Sequence, residues 1–168
     1  MELRLDRIMF MLTIFALYEL GEMFPITIPS SSHTKQEEVH MIKNSEEIIK
    51  GNFSALGGQW VNKSENLRAF ISENEIYFDG KKYALEKGEA MKENTVRINM
   101  VSYTGVNDPT PLKYYPKGSI IPVKQSDGTI LTDEYADPTD TSKDRIVLAN
   151  ISLTSDELEK ATLYAKDK

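Results

Sequence analysis

The stretch Asn44-Ser-Glu-Glu-Ile-Ile-Lys-Gly-Asn-Phe-Ser-Ala-Leu-Gly-Gly-Gln-Trp60-Val-Asn62 decides how the chain is read. Asn44 with Glu47 three residues later is an N-cap pair, Ile48 and Ile49 supply an apolar contact, and Gly51 stands where a short helix would end in a left-handed cap. One to two helical turns are expected. Phe53 and Leu56 lead to Gly57-Gly58, where two residues without side chains allow close backbone approach before Gln59-Trp60-Val61 becomes extended. The single Trp of the chain therefore marks the first strand of a β-rich domain spanning 44–168.

The following residues alternate with period two. Leu67, Ala69 and Ile71 share one face, and a two-residue turn at Glu73-Asn74 sets Ile71 opposite Ile76 and Ala69 opposite Phe78. Asp79-Gly80 is the next turn. A four-residue loop through Lys82 would place Phe78 opposite Tyr83 and Ile76 opposite Leu85, whereas a tight Asp-Gly turn pairs Phe78 with Lys81; the longer loop is expected because it matches apolar partners. Glu86 to Asn94 reads as a polar helix or turn, and Val96, Ile98 and Met100 as the inner face of a further strand. Leu112 to Tyr115 follows a loop. Ile120, Ile121 and Val123 form an edge strand broken by Pro122, Thr129 to Leu131 another, and Arg145 to Ala149 a late one. Thr154-Ser-Asp-Glu157 is a second capping box, opening about one helical turn ahead of a closing strand, Ala161 to Ala165. Short strands without βαβ spacing predict a mainly β protein, an antiparallel barrel or sandwich with short capping helices.

Upstream, Arg4 and Arg7 precede Ile8 to Tyr18, eleven residues with Thr13 alone polar. That length suits a signal-peptide core and is too short to span a bilayer. Residues 1–30 are expected to be a signal-like or membrane-tethering segment, with an apolar helix docked on the domain as the competing reading. Residues 31–43 are expected to be a polar linker. It carries both histidines, His33 and His40, at a spacing that does not suit metal ligation.

The 168 residues, with net charge −6, show no concentration of Lys and Arg, which argues against nucleic acid as a partner. No cysteine is present, so disulfides, thiolate metal sites, a thiol nucleophile and a thioether lipid anchor are all excluded. Neither histidine lies in the domain, which leaves no Ser-His-Asp arrangement there. Carboxylate pairs remain open to a hydrolase reading, though no spacing selects one. Asp133, Glu134, Asp137, Asp140 and Asp144 could offer oxygen ligands to Ca²⁺, but without the register of a dedicated loop a solvated acidic loop is expected. No catalytic residue, metal site or cofactor is assigned.

Residues 42 to about 165 resemble an uncharacterised domain of unknown function found in lipoproteins and secreted proteins of Gram-positive bacteria such as streptococci, enterococci and listeriae. The resemblance rests on Ile48 to Asn62, on Tyr114-Tyr-Pro-Lys-Gly118 and on Asp140-Thr-Ser-Lys-Asp-Arg-Ile146. It implies export and attachment to the cell envelope and brings no activity with it. The lipobox cysteine of such lipoproteins is missing here. Gly58-Gln-Trp60 is also similar to the Gly-x-Trp opening of lipocalin-like barrels, whose Trp closes one barrel end beneath a late basic side chain. Trp60 is accordingly expected as a buried plug with Gly58 beside it and the Arg145 guanidinium stacked on its indole. Tyr103, Tyr114 and Tyr115 are candidates for a ligand surface, as are Tyr77 and Tyr83, though tyrosines are first of all good strand formers. The expected function is a non-enzymatic, extracellular or envelope-associated module that binds an unknown envelope protein or wall component, with peripheral membrane attachment through the N-terminus. A lipocalin-like carrier of a small apolar ligand is the alternative, and a carboxylate-based hydrolase ranks third.

Overall fold

A computed structural model describes residues 32–104 and 110–166. The chain divides between Lys35 and Gln36, and the fold described is that of the second unit. The segment 1–30, with its signal-like reading, lies outside the described residues.

The protein is mainly β. Eight antiparallel strands close into a barrel: β1 (Gly58–Asn62), β2 (Leu67–Ser72), β3 (Glu75–Phe78), β4 (Lys81–Ala90), β5 (Val96–Ser102), β6 (Leu112–Tyr115), β9 (Arg145–Leu148) and β10 (Thr162–Ala165). Their order around the barrel is β1-β10-β9-β6-β5-β4-β3-β2, while β7 (Val123–Lys124) and β8 (Ile130–Leu131) form a separate ribbon. Closure leaves the barrel no free sheet edge.

Two helices flank these strands, α1 (Ser32–Ile49) and α2 (Ser155–Ala161). Residues 32–43, expected as a polar linker, are helical as part of α1, so Asn44 is a helix-interior residue rather than an N-cap. No Gly or Pro interrupts Ser32 to Lys50, and Lys35-Gln-Glu-Glu38 are strong helix formers, so a helix anchored at its C-terminal end propagates back through them. The anchor is Ile48, fully buried in the barrel core, with Ser45 Oγ donating to Asn94 O at 2.5 Å. At the C-terminus Gly51 has φ +90°, its N–H donates to Ile48 O at 3.0 Å, and the Asn52 N–H donates to Glu47 O at 2.9 Å. That is the expected glycine cap in its Schellman form. At α2 the Thr154 N–H donates to the Glu157 carboxylate at 2.9 Å, as the second capping box requires.

The hairpins correct one register. Ile71 faces Ile76 and Ala69 faces Phe78, as the Glu73-Asn74 turn predicts. In the next hairpin Phe78 pairs with Lys81 and Ile76 with Tyr83, so the tight turn wins over the longer loop. Asp79 and Gly80 adopt φ of 49° and 69°, the doubly left-handed turn whose twist matches the flanking strands. Both registers keep the same faces inward, so apolar matching could not separate them. Ile76, Tyr83 and Leu85 are buried and Phe78 packs half-buried against the same cluster.

Glu86 to Asn94 forms neither a helix nor one long turn. Strand β4 runs on to Ala90, with a bulge where Leu85 faces Met100 and Gly88 faces Ile98. The bulge bends the strand under the end of α1. A Cβ on Gly88 would lie 2.7 Å from Val96 Cγ1 and 3.3 Å from Ile48 O, so only glycine lets helix and strand meet there.

Two apolar clusters result. The barrel interior holds Trp60, Ile71, Ile98, Leu112, Ile146 and Leu163 among others, and Ile48, Phe53 and Leu56 join it. A second cluster of Tyr115, Ile121, Val123, Val147, Ala149 and Leu158 lies on the outer side of β6 and β9, under the β7–β8 segment and α2. Strand β9 is therefore buried on both faces, which is why Arg145-Ile-Val-Leu148 carries no polar alternation apart from its first residue.

A candidate ligand-binding face

Strands β2 to β5 differ from β6 and β9 in having an outer face that nothing described covers. Phe70, Tyr77, Val101 and Tyr103 stand there, 46, 43, 43 and 59% exposed. Register brings them together. Phe70 pairs with Tyr77, Tyr77 with Lys82, and Tyr83 with Ser102, which puts Lys82 beside Tyr103. The next row contains Glu75, Ala84 and Val101. Two rows of outward side chains thus make a contiguous ring-bearing platform, a candidate recognition surface.

Its polar groups are already locked. Lys82 Nζ lies 2.7 Å from a Glu75 carboxylate oxygen. The Tyr103 hydroxyl donates to the same carboxylate at 2.9 Å. Lys82 Nζ also sits 5.4 Å from the Tyr77 ring centre and 5.1 Å from that of Tyr103, within cation–π range of both. The Phe70 and Tyr77 rings are 6.5 Å apart and tilted by 45°. The hydrogen bond from Lys82, then that from Tyr103, holds the Glu75 carboxyl below its ordinary 4.5. Reciprocally, Glu75 raises Lys82 above 10.5 and Tyr103 above 10.0. At neutral pH Glu75 and Lys82 therefore form an ion pair that neutralises itself, with the Tyr77 and Tyr103 rings held against it.

Phe70 also walls a cleft of about 650 Å³ lying between the Gly51–Ser54 loop and the β2–β3 turn, with Phe53 and Asn74 in its lining. The aromatic row therefore runs from an open sheet face into a recess.

Of the tyrosines expected at a surface, Tyr103 and Tyr77 belong to this platform. Tyr114 does not: it points into the barrel, 1% exposed, and burial first, then the Asp144 charge, raises its hydroxyl far above the usual tyrosine range. Tyr115 is buried in the outer cluster, and burial pushes it up to about 12. Tyr83 is inward as well. The reason is the double-sided cover of β6, which buries two consecutive residues whichever way they point. Phe70, Glu75, Lys82 and Val101 were missed, although the alternation that put Ala69 and Ile71 inside already placed Phe70 outside.

Trp60 is 3% exposed within the barrel core, and its Nε1 donates to Leu56 O at 2.8 Å, tying the indole to the 3₁₀ turn Ser54–Leu56. Gly58 has φ +125° and open space where a Cβ would lie, so its need for glycine is conformational and not a matter of close approach. The expected stack of Arg145 on Trp60 is not formed. Trp60 pairs with Ala165, and Arg145 pairs with the preceding residue, Tyr164, so strand parity turns the two side chains to opposite faces. Arg145 instead lies fully buried outside the barrel, 2.9 Å from Asp137 Oδ2 and 2.6 Å from Thr139 Oγ1, with Ser119 O as a further acceptor.

That ion pair also changes the reading of the acidic loop. Asp137 accepts from the Ile121 N–H at 2.8 Å as well as from Arg145. Asp133 accepts from Tyr135 and Ala136 N–H, Asp140 from Ser142, and Asp144 from the Lys117 N–H. Asp137 is therefore a structural anchor rather than a solvated carboxylate. Among the described residues no group of three or more His, Cys, Asp or Glu side chains is gathered for a metal ion, and no helix is long and apolar enough to cross a membrane.

No protein-family model matches the chain, and no curated protein or solved structure matches it either.

Proposed function

We propose that the chain is an exported, envelope-associated module that binds without catalysing, and that it holds an uncharged glycan on the outer face of β2 to β5. The carrying observation is the row Phe70, Tyr77, Lys82 and Tyr103, exposed on a sheet whose other face is sealed core. Ring faces offer stacking area to the C–H faces of sugars, and the Tyr77 and Tyr103 hydroxyls, the Glu75 carboxylate and Lys82 offer hydrogen bonds at the ring edges. Glu75 and Lys82 neutralise each other, which suits an uncharged ligand. The apolar run Ile8 to Tyr18 behind Arg4 and Arg7 supports export. Large side chains such as Trp60, Ile98 and Tyr114 occupy the barrel interior, which favours a surface-binding module over a carrier.

The test is calorimetric titration with a panel of uncharged soluble oligosaccharides, alongside co-sedimentation with purified wall glycan. Binding that falls at least tenfold in a Tyr77→Ala, Tyr103→Ala double variant, with thermal unfolding still cooperative, is the expected result. No binding to any member of the panel, or equal binding by the double variant, overturns the glycan. Loss of a protein partner in place of a glycan, seen by crosslinking in the host cell, would reassign the same face to protein recognition.

A further inference from the structure

On the other side of β1 the charge balance reverses. Val61 of β1 pairs with Arg68 on one side and Tyr164 on the other, so these three outward residues lie in one row. Val61 and Tyr164 are half-buried and make a floor. Lys63 follows Val61 by two residues on the same face. At the other end the Lys166 N–H donates to Gln59 O at 2.9 Å, and Lys166 Nζ lies 3.2 Å from Gln59 Oε1. Lys143 Nζ reaches over the Tyr164 ring at 5.9 Å. Arg68, Lys63, Lys166 and Lys143 thus rim a strip of sheet, each of them exposed.

The strip is concave. One cleft of about 320 Å³ is lined by Lys63, Lys143, Lys166, Tyr164 and Glu159, and a second of about 430 Å³ by Lys63, Arg68 and Lys166. The two share Val61, Asn62, Lys63 and Lys166, so they form one trough across β2, β1 and β10. Asn62 fixes its upper end: its amide donates to the carbonyls of Glu159, Lys160 and Thr162 at 2.8 to 3.0 Å, while its Oδ1 accepts from the Ser64 N–H and hydroxyl. Among the described residues, four cations and a single anion, Glu159, line the trough, in a chain of net charge −6. Among the described residues, the carboxylate that pairs with a rim cation is Asp140, 3.3 Å from Lys143 in a half-exposed pair that contributes little.

We propose that this trough binds a linear phosphate polyanion, laid along β1 with successive phosphates meeting Lys166, Arg68 and Lys63. Cations spaced along β1, from Lys166 beside Gln59 to Lys63, suit a chain rather than a single ion. Spaced cations on a sheet give contacts without sequence or stereochemical demand, and in a chain of net charge −6 such a run of cations is the strip that favours an anion. Such binding releases counterions, so it weakens steeply with salt. The trough and the aromatic platform share β2, where Arg68 and Phe70 stand on the same outer face two residues apart, but no side chain belongs to both.

The test uses short-chain inorganic polyphosphate, titrated into the full chain by calorimetry at several NaCl concentrations. Binding that weakens linearly on a log–log salt plot, and falls at least tenfold in a Lys63→Gln, Lys166→Gln double variant, is expected. A Lys87→Gln, Lys92→Gln variant, equal in charge change but far along the chain on β4 and its turn, should bind as the parent does. Equal weakening by that control shows a general charge effect and overturns the trough, as does absence of binding at physiological salt. Vesicles of anionic phospholipid provide the other source of phosphate. Binding to them with none to polyphosphate overturns the linear polymer.

Discussion

Trp60 and Arg145 lie on opposite faces of one sheet, separated only by β10, and each is buried against a different cluster. The indole belongs to the barrel interior. Trp60→Ala should therefore cost about 3 to 5 kcal/mol as a large-to-small core change. Native fluorescence should be blue-shifted and shielded from iodide. Urea unfolding of the Trp60→Ala, Arg145→Ala pair should give a coupling well below that of Arg145 with Asp137. A coupling as large would mean that the two side chains communicate through the sheet.

Asp137→Ala should be among the more damaging single changes, on the order of 3 to 5 kcal/mol, because it leaves the Arg145 guanidinium buried and uncompensated. Both partners are fully buried. A double Asp137→Leu, Arg145→Met variant should recover much of that loss. Chemical denaturation of the three variants checks this, and equal losses in single and double variants would show that the packing of Thr139 and Ser119 matters more than the charge.

Gly80→Ala should destabilise by roughly 1 to 2 kcal/mol, the usual cost of left-handed backbone for a residue with a Cβ. Asp79→Asn should be close to neutral, since Asn suits the same turn. The long loop rejected by the register would tolerate Gly80→Ala, so a loss near zero would reopen it.

Gly88→Ala should cost about 1 to 3 kcal/mol through overpacking against Val96 and the end of α1. Pairing it with Val96→Ala should restore part of the loss. Hydrogen exchange in α1 is the second readout: Gly88→Ala should speed exchange at Ile48 and Ile49 more than in β1.

The platform should hold its arrangement between about pH 5 and pH 10. Glu75 is lowered below 4.5, so the stability it brings is present above that value and fades as acid protonates it. Lys82 and Tyr103 are raised above 10.5 and 10.0, so their contribution is full below those values and is lost in alkali. NMR shifts of the Tyr77 and Tyr103 rings should stay flat across that window and move together outside it. Glu75→Gln should remove the acid limb, and ring shifts that move near neutral pH would show the triad is not formed in solution.

Local chemistry in the sequence determined most of the strands, the Gly51 cap of the first helix, the Thr154 capping box of the second and the β2–β3 register. Period-two alternation at Ala69, Ile71, Val96 and Ile98 reflects one buried face, and Gly51 and Thr154 report backbone demands met within a few residues. The same alternation placed Phe70 and Tyr77 outside, so half of the candidate platform was legible. Only the tertiary structure decided what lies over each outer face. Consecutive buried Tyr114 and Tyr115 look like any strand tyrosines until the β7–β8 segment is seen to cover β6. Asp137 looks solvated until Arg145, eight residues on, turns outward to meet it. Gly88 is one residue of a polar stretch until Ile48 is packed above it. In each case the deciding partner comes from another element, and its position follows from barrel closure, a property of all eight strands together that no window of sequence contains.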